Sequence, residues 1–434
     1  MSERLIRGPL LHCLAEPDCQ HGAVEYIADA LLWLKHGRVH QLINFAEADA
    51  LLTPAQRSSV EDQRDYLMVP GFVDCHIHYP QTEMIAAYGT QLLEWLNTFT
   101  FPVESSFDDV EKAATVAKVF IDQLLTNGTT TALVFCSVHP ESADALFSEA
   151  QQHQMRLIAG KVMMDRNAPE SVLDTAQTSY DQSKQLIERW HGVDRLQYAV
   201  TPRFAPTSTD EQLHAAGRLL AEHEGVYLHT HLSENVDEIE WVKQLFPNAK
   251  NYLDVYDQAG LLGKRSVFAH GIHLCDGECE RLAQTDSAIA HCPTSNMFIG
   301  SGLFPMQRLQ AHGIKIGMGT DVGGGTSFSM LQTLADGYKM QQLNGHNLSP
   351  EQSFYLATLG GAKALDMDDK IGNFTVGKEA DFLLLDPNAT PLLKFRNQHC
   401  QTWRDTLFVL QTLGDDRVIA QTNVMGQPVS FAAL

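Results

Sequence analysis

Hydrophobic and polar positions fall into two textures along the chain. From about residue 70 to residue 365, short apolar runs alternate with longer stretches of helical period. The strand-like runs are 72–78, 129–135, 156–163, 196–202, 226–232, 265–270, 287–291 and 314–319. Between them, helix-like stretches such as 108–127, 171–190 and 209–224 each end at or just before a glycine, a stop signal for helices. Strand followed by helix, repeated around eight strands, predicts an α/β protein built on a parallel (β/α)₈ TIM-like barrel. A doubly wound open sheet produces the same local alternation and is the other architecture. The flanks read differently. Residues 4–13, 22–34, 372–376, 381–385 and 418–424 look like short strands, and 47–57 like a short helix. The two ends, 1–69 and 366–434, are therefore predicted to pair into a small β-sandwich module. The barrel, 70–365, is inserted between them.

Composition narrows the function classes. The chain has 434 residues, 44% of them hydrophobic, enough for a full-sized core. Its 53 acidic and 31 basic residues give a net charge of −22, which argues against a nucleic-acid partner but not against a small neutral substrate. The eight cysteines are scattered, as in reduced cytosolic proteins, and Cys275-x₃-Cys279 lacks the partners that a structural zinc site needs. No h-region follows Met1, and no apolar run reaches the ~18 residues of a membrane span. A soluble, cytoplasmic protein with no membrane partner is expected.

Barrel enzymes carry their chemistry at the C-terminal ends of the strands. Strand one ends in His76-Ile77-His78, followed by Tyr79-Pro80-Gln81. Strand four runs into Arg203-Phe204, and strand five into His229-Thr230-His231 with Glu234 three residues on. Strands six to eight end in His270, His291 and Thr320-Asp321. Residues i and i+2 of a strand share a face, so His76 and His78 present two imidazoles side by side. With one strand-five histidine and Asp321 they form a ligand set suited to Zn²⁺ or Fe²⁺, with a position left for water. A metal so held lowers the pKa of a water to about 7. His229 and His231 are equivalent by spacing, and nearness to the loop favours His231. Glu234, at the mouth, is the candidate general acid; alone, it reads equally well as a solvated loop carboxylate. His270 either deprotonates the water or only supports a ligand, and His273 and His291 read as supporting groups. Trp95, Phe99 and Phe101 read as packing that can also wall a flat substrate. His139-Pro140-Glu141 lacks the Pro-Cys-x-x-Cys of zinc nucleoside deaminases. Gly317-x-Gly319-x₃-Gly323 is not a dinucleotide fingerprint.

The run Pro70-Gly71-Phe72-Val73-Asp74-Cys75-His76-Ile77-His78, the pair His231-x-x-Glu234, His270, Thr320-Asp321 and the segment 377–382 together resemble the amidohydrolase superfamily over nearly the whole chain. Narrower blocks are similar to its guanine-deaminating branch: His78-Tyr79-Pro80-Gln81, Leu92-Leu93-Glu94-Trp95-Leu96, Pro202-Arg203-Phe204-Ala205-Pro206, His231-Leu232-Ser233-Glu234-Asn235 and Asp321-Val322-Gly323-Gly324-Gly325. The resemblance implies one zinc per chain, with Fe²⁺ the alternative, held by His76, His78, His231 and Asp321. Strand four has no lysine to bridge a second metal, and Lys161 lies on strand three. It also implies a homodimer and hydrolysis of guanine at C2 to xanthine and ammonia. Glu234 shuttles the proton, and Asp321 with His270 takes the proton of the attacking water. Gln81, Arg203, Phe204, His231, Glu234, His270 and Asp321 contact the substrate. Two alternatives stand beside it. One is deamination of another heterocycle, such as a pterin, a triazine or an adenosine derivative. The other is a non-enzymatic scaffold, which would be expected to have lost metal ligands.

Overall fold

The computed structural model describes residues 3–17, 23–88 and 92–430; Met1, Ser2, Cys19 and Gly22 lie outside them. Eight parallel strands follow one another around a barrel: Phe72–His78, Thr129–Phe135, Arg156–Gly160 continued by Val162–Met163, Leu196–Pro202, Tyr227–Leu232, Ser266–His270, Ala288–His291 and Lys315–Met318. The sequence-predicted strands agree with these to within a residue or two. Their near-continuous burial explains why they read as apolar runs rather than as alternating ones.

The last strand closes on the first. Asp321 N–H donates to His76 O at 2.9 Å. Buried Asp74 accepts the N–H groups of His76 (3.2 Å) and Thr320 (3.1 Å), and also the Thr320 hydroxyl. Gly317 permits the approach, since a Cβ there would lie 2.3 Å from Cys75 Sγ. Val73, Cys75, Leu133, Ile158, Tyr227, Val267 and Ala288 fill the barrel interior, and Ala362, Ala364 and Leu365 of the helix Leu359–Ala364 and its end pack with them.

The surrounding helices follow from capped amphipathic segments. In Val110–Thr126, Asp109 accepts the N–H groups of Glu111 and Lys112, while Ala113, Val116, Ala117, Phe120, Ile121, Leu124 and Leu125 form the buried stripe. The helix at 171–190 begins later than predicted, at Ala176, after a single 3₁₀ turn at Glu170–Val172.

The two ends of the chain share one sheet. Its order is Gln427–Pro428, Ile419–Val424, Phe382–Leu385, Leu67–Pro70, Arg4–Cys13, Val24–Lys35, Arg38–Asn44, with Val60–Asp62 also pairing with Arg4–Cys13. Residues 372–376, predicted as a strand, instead form turns. Gly372 has φ +92°, and Asn373 spends its side chain on Cys13 O and Thr375 N–H, which pulls the backbone out of a ladder. The predicted 47–57 helix is two short helices, Phe45–Asp49 and Pro54–Ser58, separated before Pro54. The helices Pro391–Asn397 and Trp403–Leu413 were not anticipated; the second buries Leu407, Val409 and Leu410 in the main core. The terminal sheet is tied to the barrel by a buried network in which Glu379 accepts from Arg156 (2.6 and 2.9 Å) and Arg195 (2.7 Å), and Arg195 also donates to Asp381. The seven described cysteines are all free. Among the described residues, no helix is long and apolar enough to cross a membrane.

Candidate active site

All nine sequence-predicted site residues converge at the C-terminal mouth of the barrel. His78, Gln81, Arg203, Phe204, His231, Glu234, His270 and Asp321 line one cavity, with Leu92, Trp95, Leu96 and Ile299 as apolar walls. His76 is fully buried against its floor. Three of the strand ends carry non-glycine residues at positive φ: Ser233 (48°), His270 (71°) and Asp321 (52°). Each such position costs on the order of 1–3 kcal/mol and aims its side chain where a regular strand would not.

The floor of the cavity tests whether a metal fits. Asp321 Oδ1 lies 3.2 Å from His76 Nε2 and 3.3 Å from His78 Nε2. His78 Nε2 lies 3.3 Å from His231 Nε2. His231 Nδ1 is 2.8 Å from Arg203 O, and a carbonyl only accepts, so the Nδ1 carries the proton and Nε2 turns a lone pair inward. His76 Nδ1 is held 2.8 Å from His229 Nε2, and His76 Nε2, buried beside Asp321 Oδ1, makes no hydrogen bond among the described residues. Burial keeps the imidazoles neutral: it pulls His78 down to about 3, His76 down, and His231 well below the ordinary histidine range. Burial alone would raise Asp321, but His76 and His78 outweigh it and hold the carboxyl well below its usual value. Neutral lone pairs crowded around a carboxylate repel one another unless a cation lies among them. The donor set therefore fits one divalent transition metal. His229 orients His76 from behind and does not face the cavity.

Glu234 and His270 stand on the neighbouring rim. Burial, and then the charge of Asp321, pushes Glu234 up to about 8, although the Ser301 hydroxyl donates to it at 2.8 Å. His270 Nε2 lies 3.4 Å from Glu234 and 3.8 Å from Asp321, and its Nδ1 is 2.9 Å from Asn296 Oδ1. One imidazole thus reaches both carboxyls, an arrangement able to move protons between them.

Several supporting residues escaped the sequence reading. Glu238 accepts the N–H groups of Glu234 (2.9 Å) and Asn235 (3.1 Å) and the hydroxyl of Tyr252 (2.6 Å), fixing the Glu234 loop. The Asn235-x-x-Glu238 capping box was the signal that could have found it. Tyr256 donates to His231 O at 2.8 Å and accepts from Ala205 N–H at 2.9 Å. Cys292 brings its sulfur within 4.8 Å of ligand atoms of His76, His270 and Asp321, but burial raises its thiol well above the ordinary range and it bonds to Ala290 O. Glu104, fully buried, bonds to both Gln81 (3.2 Å) and Arg203 (2.6 Å). His273 is tied to Ser301 O, and His291 stacks on Phe304. Lys161 pairs with Asp174, away from the cavity.

Comparison with known proteins bears on this site. The family described as Amidohydrolase family matches residues 67–429. Guanine deaminase of Escherichia coli (strain K12) is 54% identical over 429 residues, covering 98% of this chain and 97% of that protein. The solved structure of E. coli guanine deaminase superposes with a TM-score of 0.95 at 53% identity, over 98% of this chain and 99% of that one. The structure of guanine deaminase from C. acetobutylicum with bound guanine in the active site superposes with a TM-score of 0.90 at 27% identity, over 99% of this chain and 100% of that one.

Proposed function

The chain belongs to the amidohydrolase family, and we propose that it is a guanine deaminase, hydrolysing guanine to xanthine and ammonia. The observation that carries the proposal is the layout of the cavity. One cavity is lined by Gln81 and Arg203, by the apolar Leu92, Trp95, Leu96 and Ile299, and by Glu234, His270 and Asp321, which supports reading the first pair as the purine's partners and the last three as the acid–base group. The metal is inferred to be one zinc, held by His76, His78, His231 and Asp321; when bound, it supplies a Lewis acid that makes water nucleophilic near neutral pH.

The remaining chemistry falls to the chain's own residues. Phe204, Trp95 and Leu96 wall the purine plane and exclude water. Arg203 offers donors to the ring's acceptors, and Gln81 meets the lactam edge. Asp321 and His270 take the proton released as water adds to C2. Glu234, protonated in this environment, delivers a proton to N3. The proton held by Asp321 and His270 then passes to the C2 amino group, ammonia leaves, and the C2 hydroxyl returns a proton to Glu234, so that xanthine remains and both carboxyls are restored. Adenine would leave the buried Gln81 and Arg203 without partners and is rejected. The same reading makes the protein a cytoplasmic homodimer. The test is xanthine and ammonia formation from guanine, with metal content measured on the same sample. No turnover by protein carrying about one metal per chain would refute the substrate assignment.

A further inference from the structure

Glu104 lies outside the metal and acid–base groups, and no sequence motif pointed to it. Its carboxyl is fully buried at the end of a continuous helical stretch, Leu92–Glu104, whose middle, Leu96–Thr100, is a π-helical turn. One oxygen accepts Gln81 Nε2 at 3.2 Å and the other accepts an Arg203 Nη1 at 2.6 Å. The Ser137 hydroxyl donates to its backbone carbonyl at 2.8 Å, and the Arg203 guanidinium lies 5.5 Å above the Phe101 ring, so the arm is anchored from both sides.

We propose that Glu104 is a positioning residue that sets the hydrogen-bond polarity of the substrate pocket, making it accept a lactam edge and refuse an amidine one. A carboxylate paired with a guanidinium has no proton to give and can only accept. Gln81 must therefore turn its NH₂ toward Glu104, which leaves its carbonyl Oε1 as the group facing the ligand. The reverse amide orientation would set two acceptors against each other. Gly323 holds the amide from the other side: its φ is +117°, and a Cβ there would come within 1.9 Å of Gln81 Oε1. Arg203 spends Nη1 on Glu104, and its other N–H groups, free of protein partners among the described residues, remain for the cavity. The wall thus presents an acceptor, Gln81 Oε1, beside donors, those of Arg203. Its complement is an N–H next to a C=O, as at N1 and O6 of guanine. The corresponding edge of 2,6-diaminopurine is reversed, a bare nitrogen beside an NH₂, although the scissile 2-amino group is the same.

This inference rests on the guanine deaminase reading, and 2,6-diaminopurine separates the two. The experiment measures kcat/KM for guanine and for 2,6-diaminopurine with the metal-loaded enzyme, for the parent and for Glu104→Gln. The parent is expected to favour guanine by about a hundredfold or more. In Glu104→Gln the new amide can donate, Gln81 is free to turn over, and the preference is expected to shrink at least tenfold with metal content retained. A merely structural loss would lower both substrates together and leave the ratio unchanged; that result, in a folded and metal-loaded variant, overturns the proposal. Should the variant not fold, the parent decides: comparable turnover of the two purines overturns the proposal, and strong discrimination supports it. Absence of guanine turnover by the metal-loaded parent refutes the functional reading, and the proposal falls with it.

Discussion

Replacing Glu234 by glutamine isolates the proton transfer. The amide keeps the shape of the carboxyl and can still accept from the Ser301 hydroxyl, but it has no transferable proton. Glu234 is 2% exposed, and burial followed by the charge of Asp321 pushes it up to about 8. A carboxyl with that value is about nine-tenths protonated at pH 7, which is the state that a general acid needs. A cation bound among His76, His78, His231 and Asp321 pulls the value down, so the inflection in the holoenzyme lies at or below about 8. A positioned general acid typically contributes about 10² to 10⁴ in rate, roughly 3 to 5 kcal/mol of barrier.

Glu234→Gln should therefore lose two to four decades of kcat in a continuous xanthine assay while retaining the metal. The sign of the pH dependence follows from the protonated form being the active one. The parent's kcat is level below the inflection and falls about tenfold per pH unit above it, and the glutamine variant lacks that limb. The raised value also means that ionisation costs the folded parent as pH climbs from 4.5 through about 8. The variant is then at least as stable as the parent above pH 8, so lost activity cannot be ascribed to unfolding. Activity within threefold of the parent, or an unchanged alkaline limb, would refute the assignment of Glu234.

Three further outcomes are expected. Chelation should abolish turnover and lower the apparent unfolding temperature, because a ligand at a thousandfold its Kd stabilises the fold by about 4 kcal/mol; zinc should restore both, and scanning calorimetry with and without chelator reads the effect. Gly323→Ala strains a backbone at φ +117° and drives a Cβ into Gln81, so KM for guanine should rise at least tenfold while metal analysis stays normal. Glu379→Gln should destabilise the fold at neutral pH by about 3 to 5 kcal/mol in urea unfolding, since Arg156 is left buried without its carboxylate and Arg195 keeps only Asp381. Burial alone would raise Glu379, but those arginines hold it below its ordinary 4.5, so its contribution is present above that value and is lost as pH falls through the folded value. The gap between parent and variant should accordingly close in strong acid.

What the sequence made legible follows from the length scale of each signal. His76 and His78 were readable as a pair because a strand fixes the relation of i and i+2 within seven residues, Phe72–His78. Glu234 and Asp321 were readable because a barrel sends every strand end to the same face. Whether His229 or His231 faced the cavity was not decided by spacing, since both share one side of their strand. The structure separates them by depth: His229 is fully buried beneath His76, and His231 reaches the opening. Glu104 was invisible because its partners lie 23 and 99 residues away. No local pattern marks a buried carboxylate that serves two distant side chains. Residues 372–376 misled for the opposite reason: a short stretch carrying Phe374, Thr375 and Val376 looked like a strand, and the side chain of Asn373 diverted the backbone.

The strained strand ends link the fold to the chemistry. Ser233, His270 and Asp321 each occupy a left-handed backbone conformation that disfavours non-glycine residues; His270 and Asp321 line the cavity, and Ser233 directly precedes Glu234, which lines it too. Such strain persists only where surrounding bonds over-determine the position. At Asp321 those bonds are its own N–H to His76 O, with Asp74 gripping Thr320 next to it. At Ser233 its carbonyl accepts from the backbone N–H groups of Ile272 and His273, while Glu238 clamps Glu234 and Asn235 beyond it. At His270 the ring is held by Asn296, and the following Gly271 N–H donates to Leu232 O. Each distortion is thus held by a bond to the adjacent strand end or its loop. The proposed acid–base groups of strands five, six and eight are therefore fixed relative to one another before substrate arrives, and the proton transfer proposed for them needs no rearrangement of their backbones.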